Sequence, residues 1–238
     1  ELTESGQRLY DYANTVLSEY DKLKKEIDMI RASEEGTVEL LVAYDILRYL
    51  TPDCILEFQK KYPNVTFSYM EYPDRIVEKM LLDKEGNVAL SIGPFAGDCF
   101  DMKSLKKCSL GLLVYEEHSL AKKREATILD LEGEPLYLEN SSFKLNEFIQ
   151  SRCWNRGFEP DIVFETNGFD LCYKMCRLKR GLSVTIDFVH EDMNTEGLVM
   201  IPFAEDDMIW EIGLLTLKDR AMESSVEKFY KYIENYNN

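Results

Sequence analysis

The chain has 238 residues, of which 45% are hydrophobic and 30% are charged, and this length and composition predict one or two folded domains. The formal net charge of −16 argues against direct binding to nucleic acid, because such a surface repels phosphates. No apolar run approaches the roughly 18 residues that a membrane-spanning helix requires, so we expect no membrane partner.

The N-terminal segment carries apolar residues at alternating steps of four and three, which predicts one long helix with a narrow apolar seam. Thr3 is a suitable N-cap for this helix. A narrow seam needs a partner helix, so we expect dimerisation here, although a helix packed on its own domain would show the same period over about three heptads. The seam consists of Leu9, Ala13, Val16, Tyr20, Leu23, Ile27 and Ile30. Because the chain opens with Glu1 rather than Met, we also expect a further N-terminal part upstream.

After Gly36 the hydrophobic period becomes extended, and short apolar strands alternate with amphipathic helices. This alternation is typical of a parallel sheet covered by helices. The predicted strands are Thr37–Ala43, Val65–Met70, Val88–Ile92, Ser109–Tyr115, Leu136–Leu138, Asp161–Glu165, Leu182–Ile186, Leu198–Ile201 and Trp210–Leu217. The helices between and after them are predicted to begin at Asp45, Asp74, Ser142, Gly168 and Asp219, with Asp45 and Ser142 as N-caps and with Gly168–Arg180 as one helix.

The strands and helices divide into two similar α/β lobes, with the chain crossing between them near Leu110–Tyr115 and Ile209–Leu215. We therefore predict a helix over residues 1–35, a first lobe over 36–114 plus 213–238, and a second lobe over 115–212. Open α/β sheets bind ligands beyond the carboxyl ends of their strands, so a small molecule is expected between the lobes.

Six cysteines are present without a CxxC spacing, and only two histidines accompany them, so we expect no metal site and no cofactor. Cys172 and Cys176 lie on the apolar face of a predicted helix. They are interpreted as small buried hydrophobic residues, with a redox pair as the alternative. Thiols without a disulfide framework fit a reducing cytoplasm.

Several short motifs, taken in order along almost the whole chain, resemble the LysR-type transcriptional regulators. These motifs are Leu2–Gly6, Gly36–Leu40, Glu57–Val65, Gly157–Pro160, Gly181–Val184 and Gly197–Pro202. The resemblance implies a two-lobed clamshell of the type 2 periplasmic-binding-protein fold, a winged helix-turn-helix upstream of this chain, and a dimer or tetramer that senses a small molecule. The chain departs from the family pattern at Lys84, Asn87, Ser183 and Asp187, so the effector of better-known members does not transfer.

A catalytic function is not expected. The chain contains no GxSxG, GxxxxGK or GxGxxG motif, and its acidic pairs are sequence neighbours whose side chains point apart. Prephenate dehydratases resemble this architecture but carry a Thr-Arg-Phe triplet, which is absent from the corresponding Asn140–Lys144.

Helix N-termini at the cleft offer backbone N–H groups and a positive dipole end, which favour an anionic ligand near Ser142. Aromatic residues at the same loops favour a partly apolar one. Ser142 also fits an N-cap role and Asn167 a turn role, whereas Asp45 either caps its helix or selects an amine or hydroxyl. Lys144 is either a counter-charge or an ordinary surface lysine. The candidate ligand residues are Tyr44, Asp45, Ile46, Tyr72, Pro73, Ser91, Gly93, Phe95, Ser141, Ser142, Phe143, Asn167 and Thr185.

The sequence thus predicts the cytoplasmic effector-sensing and oligomerisation region of a LysR-type regulator. Its effector is expected to be a carboxylate with an apolar body, and its DNA binding is expected to reside in the upstream domain alone. The alternative is a stand-alone solute-binding protein or interaction module of the same fold, which the leading heptad helix argues against.

Overall fold

The computed structural model describes residues 3–33, 36–95 and 98–236. The helices in these ranges are α1 (Glu4–Ser33), α2 (Ile46–Lys61), α3 (Asp74–Leu82), α4 (Lys144–Asn155), α5 (Phe169–Arg177), α6 (Asp187–Asp192) and α7 (Ser224–Tyr236). The strands are β1 (Thr37–Ala43), β2 (Thr66–Tyr72), β3 (Val88–Ile92), β4 (Phe100–Tyr115), β5 (Pro135–Glu139), β6 (Asp161–Thr166), β7 (Leu182–Ile186), β8 (Leu198–Pro202) and β9 (Ile209–Leu217).

The strands lie in the order β2-β1-β3-β9-β4-β7-β5-β6, with β8 on β4. In what we call lobe I, β1 is parallel to β2 and β3, while β9 is antiparallel to β3 and to the first part of β4. In lobe II, β5 is parallel to β6 and β7, and the second part of β4 is antiparallel to β7 and β8. This confirms the predicted two-lobed α/β fold.

Strand β4 carries the chain from one lobe to the other. Its Ser109 pairs with Ile209 of β9, whereas the next residue, Leu110, pairs with Ile186 of β7. The strand begins at Phe100, nine residues earlier than the predicted Ser109, because its first half is polar and lacks the apolar alternation that indicates a strand.

The central strands are buried on both faces, as expected for parallel strands covered by helices. All five residues of β3 are buried, and so are all five residues of β7. Asn87, one of the departures from the family pattern, fills a buried position just before β3. Its amide oxygen accepts the Glu39 N–H at 2.9 Å and its amide nitrogen donates to the Thr37 carbonyl at 2.9 Å.

Helices α3 and α5 end in the same turn. In α3, Lys84 has a positive φ of 62° and the next N–H, of Glu85, donates back to Met80. In α5, Lys179 has a φ of 56° and the N–H of Arg180 donates to Met175. Glycine is favoured in this left-handed position, and in this chain a lysine occupies it in both turns. The turn ends α5 at Arg177 rather than at the predicted Arg180.

Gly181 is required by a close approach of two strands. A Cβ atom at this position would lie 2.3 Å from the carbonyl oxygen of Pro135. The glycine therefore allows β7 to pair with β5.

Two other helices differ from the prediction. Helix α6, which directly follows β7, was not predicted because its six residues are too few to show a helical period. Helix α7 begins at Ser224 rather than at Asp219, since Lys218 and Asp219 form a turn in which the Arg220 N–H donates to Leu217.

The predicted N-terminal helix is confirmed as α1, and the Thr3 hydroxyl caps it by accepting the Gly6 N–H at 3.1 Å. The described seam side chains are all exposed in the single chain, namely Leu9, Ala13, Val16, Tyr20 and Leu23. The side chains of the other seam residues, Ile27 and Ile30, lie outside the described part.

The six cysteines are free thiols, five of them buried. Burial raises the pKa of Cys172 to about 11 and also raises the pKa of Cys176. The Cys176 thiol lies 3.8 Å from the Leu113 carbonyl oxygen. These thiols are held protonated, which makes them poor nucleophiles and fits their interpretation as small hydrophobic residues.

Candidate functional site

The carboxyl ends of strands from both lobes face each other across a cleft that is almost filled. A cavity of about 20 Å³ remains, which is space for about one water molecule. Each lobe contributes six of its lining residues. They are Ala43, Tyr44, Asp45, Asp74, Ile92 and Trp210 from lobe I, and Glu139, Phe143, Leu145, Phe169, Ile186 and Phe188 from lobe II.

A carboxylate of lobe I caps a helix of lobe II. The Lys144 N–H, at the first position of α4, donates to Asp74 Oδ1 at 3.0 Å, with Oδ2 at 3.4 Å. The predicted N-cap, Ser142, makes no capping bond, and Phe143 occupies the cap position. The Ser142 N–H instead donates to Asn140 Oδ1 at 2.8 Å, so the prediction of a Ser142 cap was wrong. The acceptor that caps α4, Asp74, lies 70 residues away in the sequence, so the residues around Ser142 give no signal of it.

The Lys144 side chain crosses the cleft in the opposite direction. Its Nζ donates to Glu78 of α3 and, at 2.8 Å, to the Ile92 carbonyl of β3. The Ser91 hydroxyl donates to the same Glu78 oxygen at 3.0 Å, and the Phe95 ring centroid lies 4.8 Å from Nζ. Lys144 is only 9% exposed, so the expectation of an ordinary surface lysine was wrong. It is the counter-charge of a carboxylate, but that carboxylate belongs to the chain itself.

Arg48 on α2 forms a second bridge between the lobes. It donates to Asp192 at 2.6 Å and to Asp170 at 3.4 Å, both in lobe II, and to Asp45 of its own lobe at 2.5 Å. Asp45 occupies the predicted N-cap position of α2, but its side chain makes no capping bond because it pairs with Arg48. One cation is therefore shared by three carboxylates.

A third contact between the lobes joins Arg75 and Glu147 at the outer edge of the cleft. Together with the bridges at Lys144 and Arg48, it closes the cleft on more than one side. Contacts within the chain thus hold the two lobes together around the small cavity, which we call the closed cavity.

Three carboxyl groups face the closed cavity, and burial raises the pKa of each. The pKa of Asp74 rises to about 6 despite the opposing charge of Lys144. The pKa of Asp45 rises although Arg48 opposes the shift. Glu139 is 4% exposed, and its pKa lies well above the ordinary value because of burial, with the negative charges of Asp45 and Asp74 adding to the effect.

Aromatic rings form much of the remaining wall. Tyr44 from lobe I and Phe143 from lobe II face each other with ring centroids 6.1 Å apart. Phe169, Phe188 and Trp210 complete this wall. The cavity thus combines acidic groups with the faces and edges of five rings.

Of the predicted ligand residues, Tyr44, Asp45 and Phe143 line the closed cavity. Asn167 lies at its mouth, in a larger cavity of about 500 Å³ that also includes Tyr44 and Asp45. Gly93 and Phe95 line a larger cavity of about 660 Å³, which also has Phe148 and Arg152 of lobe II in its wall and shares Trp210 with the closed cavity.

The other predicted residues do not line the closed cavity. Ile46 is in the core, Ser91 is bonded to Glu78, and the Thr185 hydroxyl lies 2.9 Å from that of Tyr173. The rest lie at the ends of β2 and β5, namely Tyr72, Pro73, Ser141 and Ser142.

The sequence analysis omitted three charged residues at the cleft, namely Glu139, Glu78 and Arg48. It named Asp74 only as a helix start and Lys144 only as a possible counter-charge to a ligand. A signal was available for two of these residues. Asp74 closely follows β2 and Glu139 ends β5, at the strand ends where ligands bind. The partners that Lys144 and Arg48 have in the opposite lobe, Glu78, Asp170 and Asp192, lie far away in sequence and gave no such signal.

Within residues 3–33, 36–95 and 98–236, no group of His, Cys, Asp and Glu side chains has the arrangement of a metal site. In the same part of the chain, no helix is both long and apolar enough to span a membrane.

The fold and cleft define a two-lobed α/β ligand-binding domain. The sequence model described as the LysR substrate binding domain matches residues 31–237. The chain therefore belongs to the LysR substrate-binding domain family, which confirms the resemblance drawn from its motifs.

Two relatives from Bacillus subtilis (strain 168) are transcriptional regulators according to their names. The chain is 25% identical to the uncharacterized HTH-type regulator YwbI over 185 residues, covering 78% of this chain and 62% of YwbI. It is 23% identical to the dual regulator GltC over 234 residues, covering 98% of this chain and 78% of GltC. The chain thus spans less than two thirds of the length of YwbI.

Solved structures share the fold. The effector-binding domain of BenM with its effector benzoate has a TM-score of 0.70 at 18% identity, covering 84% of this chain and 91% of that one. The regulatory domain of CcmR from Synechocystis PCC6803, in complex with 2-PG, has a TM-score of 0.74 at 16% identity, covering 84% and 96%.

Proposed function

We propose that this chain is the effector-sensing and oligomerisation region of a LysR-type transcriptional regulator. A small molecule binds between the lobes, and the upstream part of the longer protein binds DNA. Family membership and the names of YwbI and GltC support a regulator. We also propose that the protein acts in the cytoplasm and catalyses no reaction.

One observation carries the sensing function: the two lobes are joined by contacts that a ligand between them must change. Asp74 caps α4 across the cleft, and Lys144 reaches back to Glu78. A ligand at this place would replace or rearrange these bonds and thereby favour one angle between the lobes. The predicted lobe boundaries, 36–114 with 213–238 and 115–212, belong to this proposal with one adjustment: β9 from Ile209 is assigned to lobe I and β4 from Leu110 to lobe II, following their strand pairing.

Helix α1 supports the oligomerisation function. Its seam presents exposed apolar residues along one side of the helix, including Leu9, Val16 and Leu23. Pairing with a second α1 would bury them, which favours a dimer or tetramer over a stand-alone solute-binding protein.

The structure bears on the expected position of an anionic effector. The N–H groups of Ser142, Phe143 and Lys144 already donate to Asn140 and Asp74. A carboxylate that binds here must displace the Asp74 side chain, and opening of the lobes is the movement that allows it. We therefore propose that effector binding and lobe movement are coupled.

The proposal is tested by screening metabolites for a rise in melting temperature and then measuring binding to two tyrosine variants. Tyr44 lines the cleft and Tyr69 lies on β2, and they are 41% and 48% exposed, so neither substitution should unfold the chain. We expect Tyr44→Ala to weaken binding of the stabilising compound roughly tenfold, and Tyr69→Ala to leave it unchanged. Equal binding to both variants would contradict a site in the cleft.

A further inference from the structure

Glu139 carries a largely buried carboxyl group to which the described residues supply no partner. It ends β5 and lines the cavity between the lobes, and it is 4% exposed. Across the part of the chain that the structure describes, its backbone carbonyl accepts a bond from Asn146, but its carboxyl oxygens take part in no hydrogen bond or ion pair. A buried polar group normally has such a partner, so its absence points to a missing ligand.

The charged groups around the cavity are mostly acidic. The Lys144 ammonium pairs with Glu78, whereas Asp74 accepts the backbone N–H of Lys144. Arg48 is shared by three further carboxylates. No described basic side chain pairs with Glu139. Asp45 and Asp74 place negative charge near Glu139, so a positively charged ligand group would offset this repulsion, whereas a negatively charged one would add to it.

The walls have the chemistry that recognises an organic cation. Aromatic faces attract ammonium groups, and five aromatic residues line this cavity. The closed cavity has room for a group about the size of a water molecule, which suits an ammonium head. Tyr44 and Asp45 also line the larger cavity of about 500 Å³ at the mouth, where the body of a ligand can lie.

We propose that the cleft binds a protonated amine whose cationic head pairs with Glu139 inside the aromatic wall. This inference rests on the proposed function and specifies its ligand class. It replaces the carboxylate expected from the helix N-termini, because Asp74 and Asn140 already occupy the N–H groups there.

The test measures binding of benzylamine, phenethylamine and cadaverine to the folded chain by calorimetry. Benzoate is the comparison compound, because it carries a carboxylate on the same ring in place of the aminomethyl group of benzylamine. We expect at least one amine to bind and Glu139→Gln to weaken it by roughly tenfold or more, since the ion pair is lost while the shape is kept. The control is Glu132→Gln, which makes the same charge change at an exposed site of lobe II and should leave affinity unchanged.

A second measurement needs no variant. Hydrogen exchange of the wild-type chain should slow at residues 44–46 and 139–144 when the amine is bound. The inference is overturned if no named amine binds below about 10 mM, if Glu139→Gln and Glu132→Gln bind it equally, or if those amides gain no protection. Binding of benzoate with protection of both lobes, without amine binding, would overturn the amine class and leave the proposed function standing.

Discussion

Asp74 makes a direct contact between the lobes by capping α4. It supplies a negative charge to the positive end of α4, the place where an anionic ligand was expected. Its carboxylate is thus an internal substitute for such a ligand. Burial raises its pKa to about 6, so the charge that makes this contact changes near neutral pH.

The first prediction concerns the pH dependence of stability. The pKa of Asp74 is about 6 in the folded chain against an ordinary 3.8, so the folded state binds this proton more tightly. The stabilisation from that proton is present below about pH 4 and is lost as pH rises through about 6. Between about pH 5 and 7, the titration of Asp74 should therefore lower the unfolding free energy of the wild-type chain by about 1 kcal/mol. Asp74→Asn should lack this decrease when the two proteins are compared by urea denaturation.

Asp83→Asn is the control, because Asp83 is exposed just after α3 and lies outside the cleft. It should keep the pH dependence of the wild-type chain. A profile for Asp74→Asn that runs parallel to the wild-type profile would show that Asp74 is not the titrating group.

The second prediction concerns the buried ion pair. Lys144→Met leaves the Glu78 carboxylate in the cleft without its cation and should cost roughly 3 kcal/mol of unfolding free energy. Adding Glu78→Gln removes the uncompensated charge, so the double variant should be more stable than the single one. Lys79→Met, on the exposed side of α3, should cost little. Equal stability of the two lysine variants would contradict a buried pair.

At the residue scale, the sequence predicted three of the residues that line the cleft, but not the side chains that hold the two lobes together. Tyr44, Asp45 and Phe143 were found because they follow predicted strands or precede a predicted helix. The Ser142 cap was wrong because Asp74 of the other lobe supplies the acceptor for α4. Contacts across a cleft depend on the tertiary fold, which a local pattern does not encode.

At the scale of elements, α1 carries the seam proposed for oligomerisation, and β4 joins the two lobes. Helix α1 leaves its apolar seam exposed, and β4 pairs with β9 in one lobe and with β7 and β8 in the other. Movement between the lobes must therefore bend or twist β4 near Ser109, where its partners change. Asp187 lies at the same place and accepts the Ser109 N–H at 2.8 Å.

The third prediction concerns the seam of α1. Val16 and Leu17 are 63% and 61% exposed in the single chain, but only Val16 lies on the seam. Val16→Ser should weaken self-association, and Leu17→Ser should weaken it less, because a seam residue is more deeply buried between paired helices. Light scattering over a concentration series compares them. A wild-type chain that stays a 27.8 kDa monomer at micromolar concentration would contradict the pairing.

Helices and strands with a clear hydrophobic period in the sequence were predictable, and those without such a period were not. The bounds of β1, β3 and β7 match the prediction because their apolar runs are short and complete. The first half of β4 was missed because Lys103, Ser104 and Lys106 interrupt any alternation. The short α6 contains too few residues to show a helical period.

At the scale of the whole molecule, the net charge of −16 disfavours contact with DNA phosphates. The fourth prediction is that this chain alone does not bind a defined duplex at physiological salt, because its negative charge repels the phosphates. A gel shift that persists under those conditions would contradict the proposal that DNA binding belongs to an upstream domain.

The closed cleft is the central feature of the whole molecule, since contacts within the chain fill the place of a ligand. The most direct test is hydrogen exchange of the chain with and without a compound that raises its melting temperature. The account predicts changed exchange in both lobes at once, at residues 73–76 in lobe I and 140–146 in lobe II. Changes confined to one lobe, or to α1, would contradict a sensing site between the lobes.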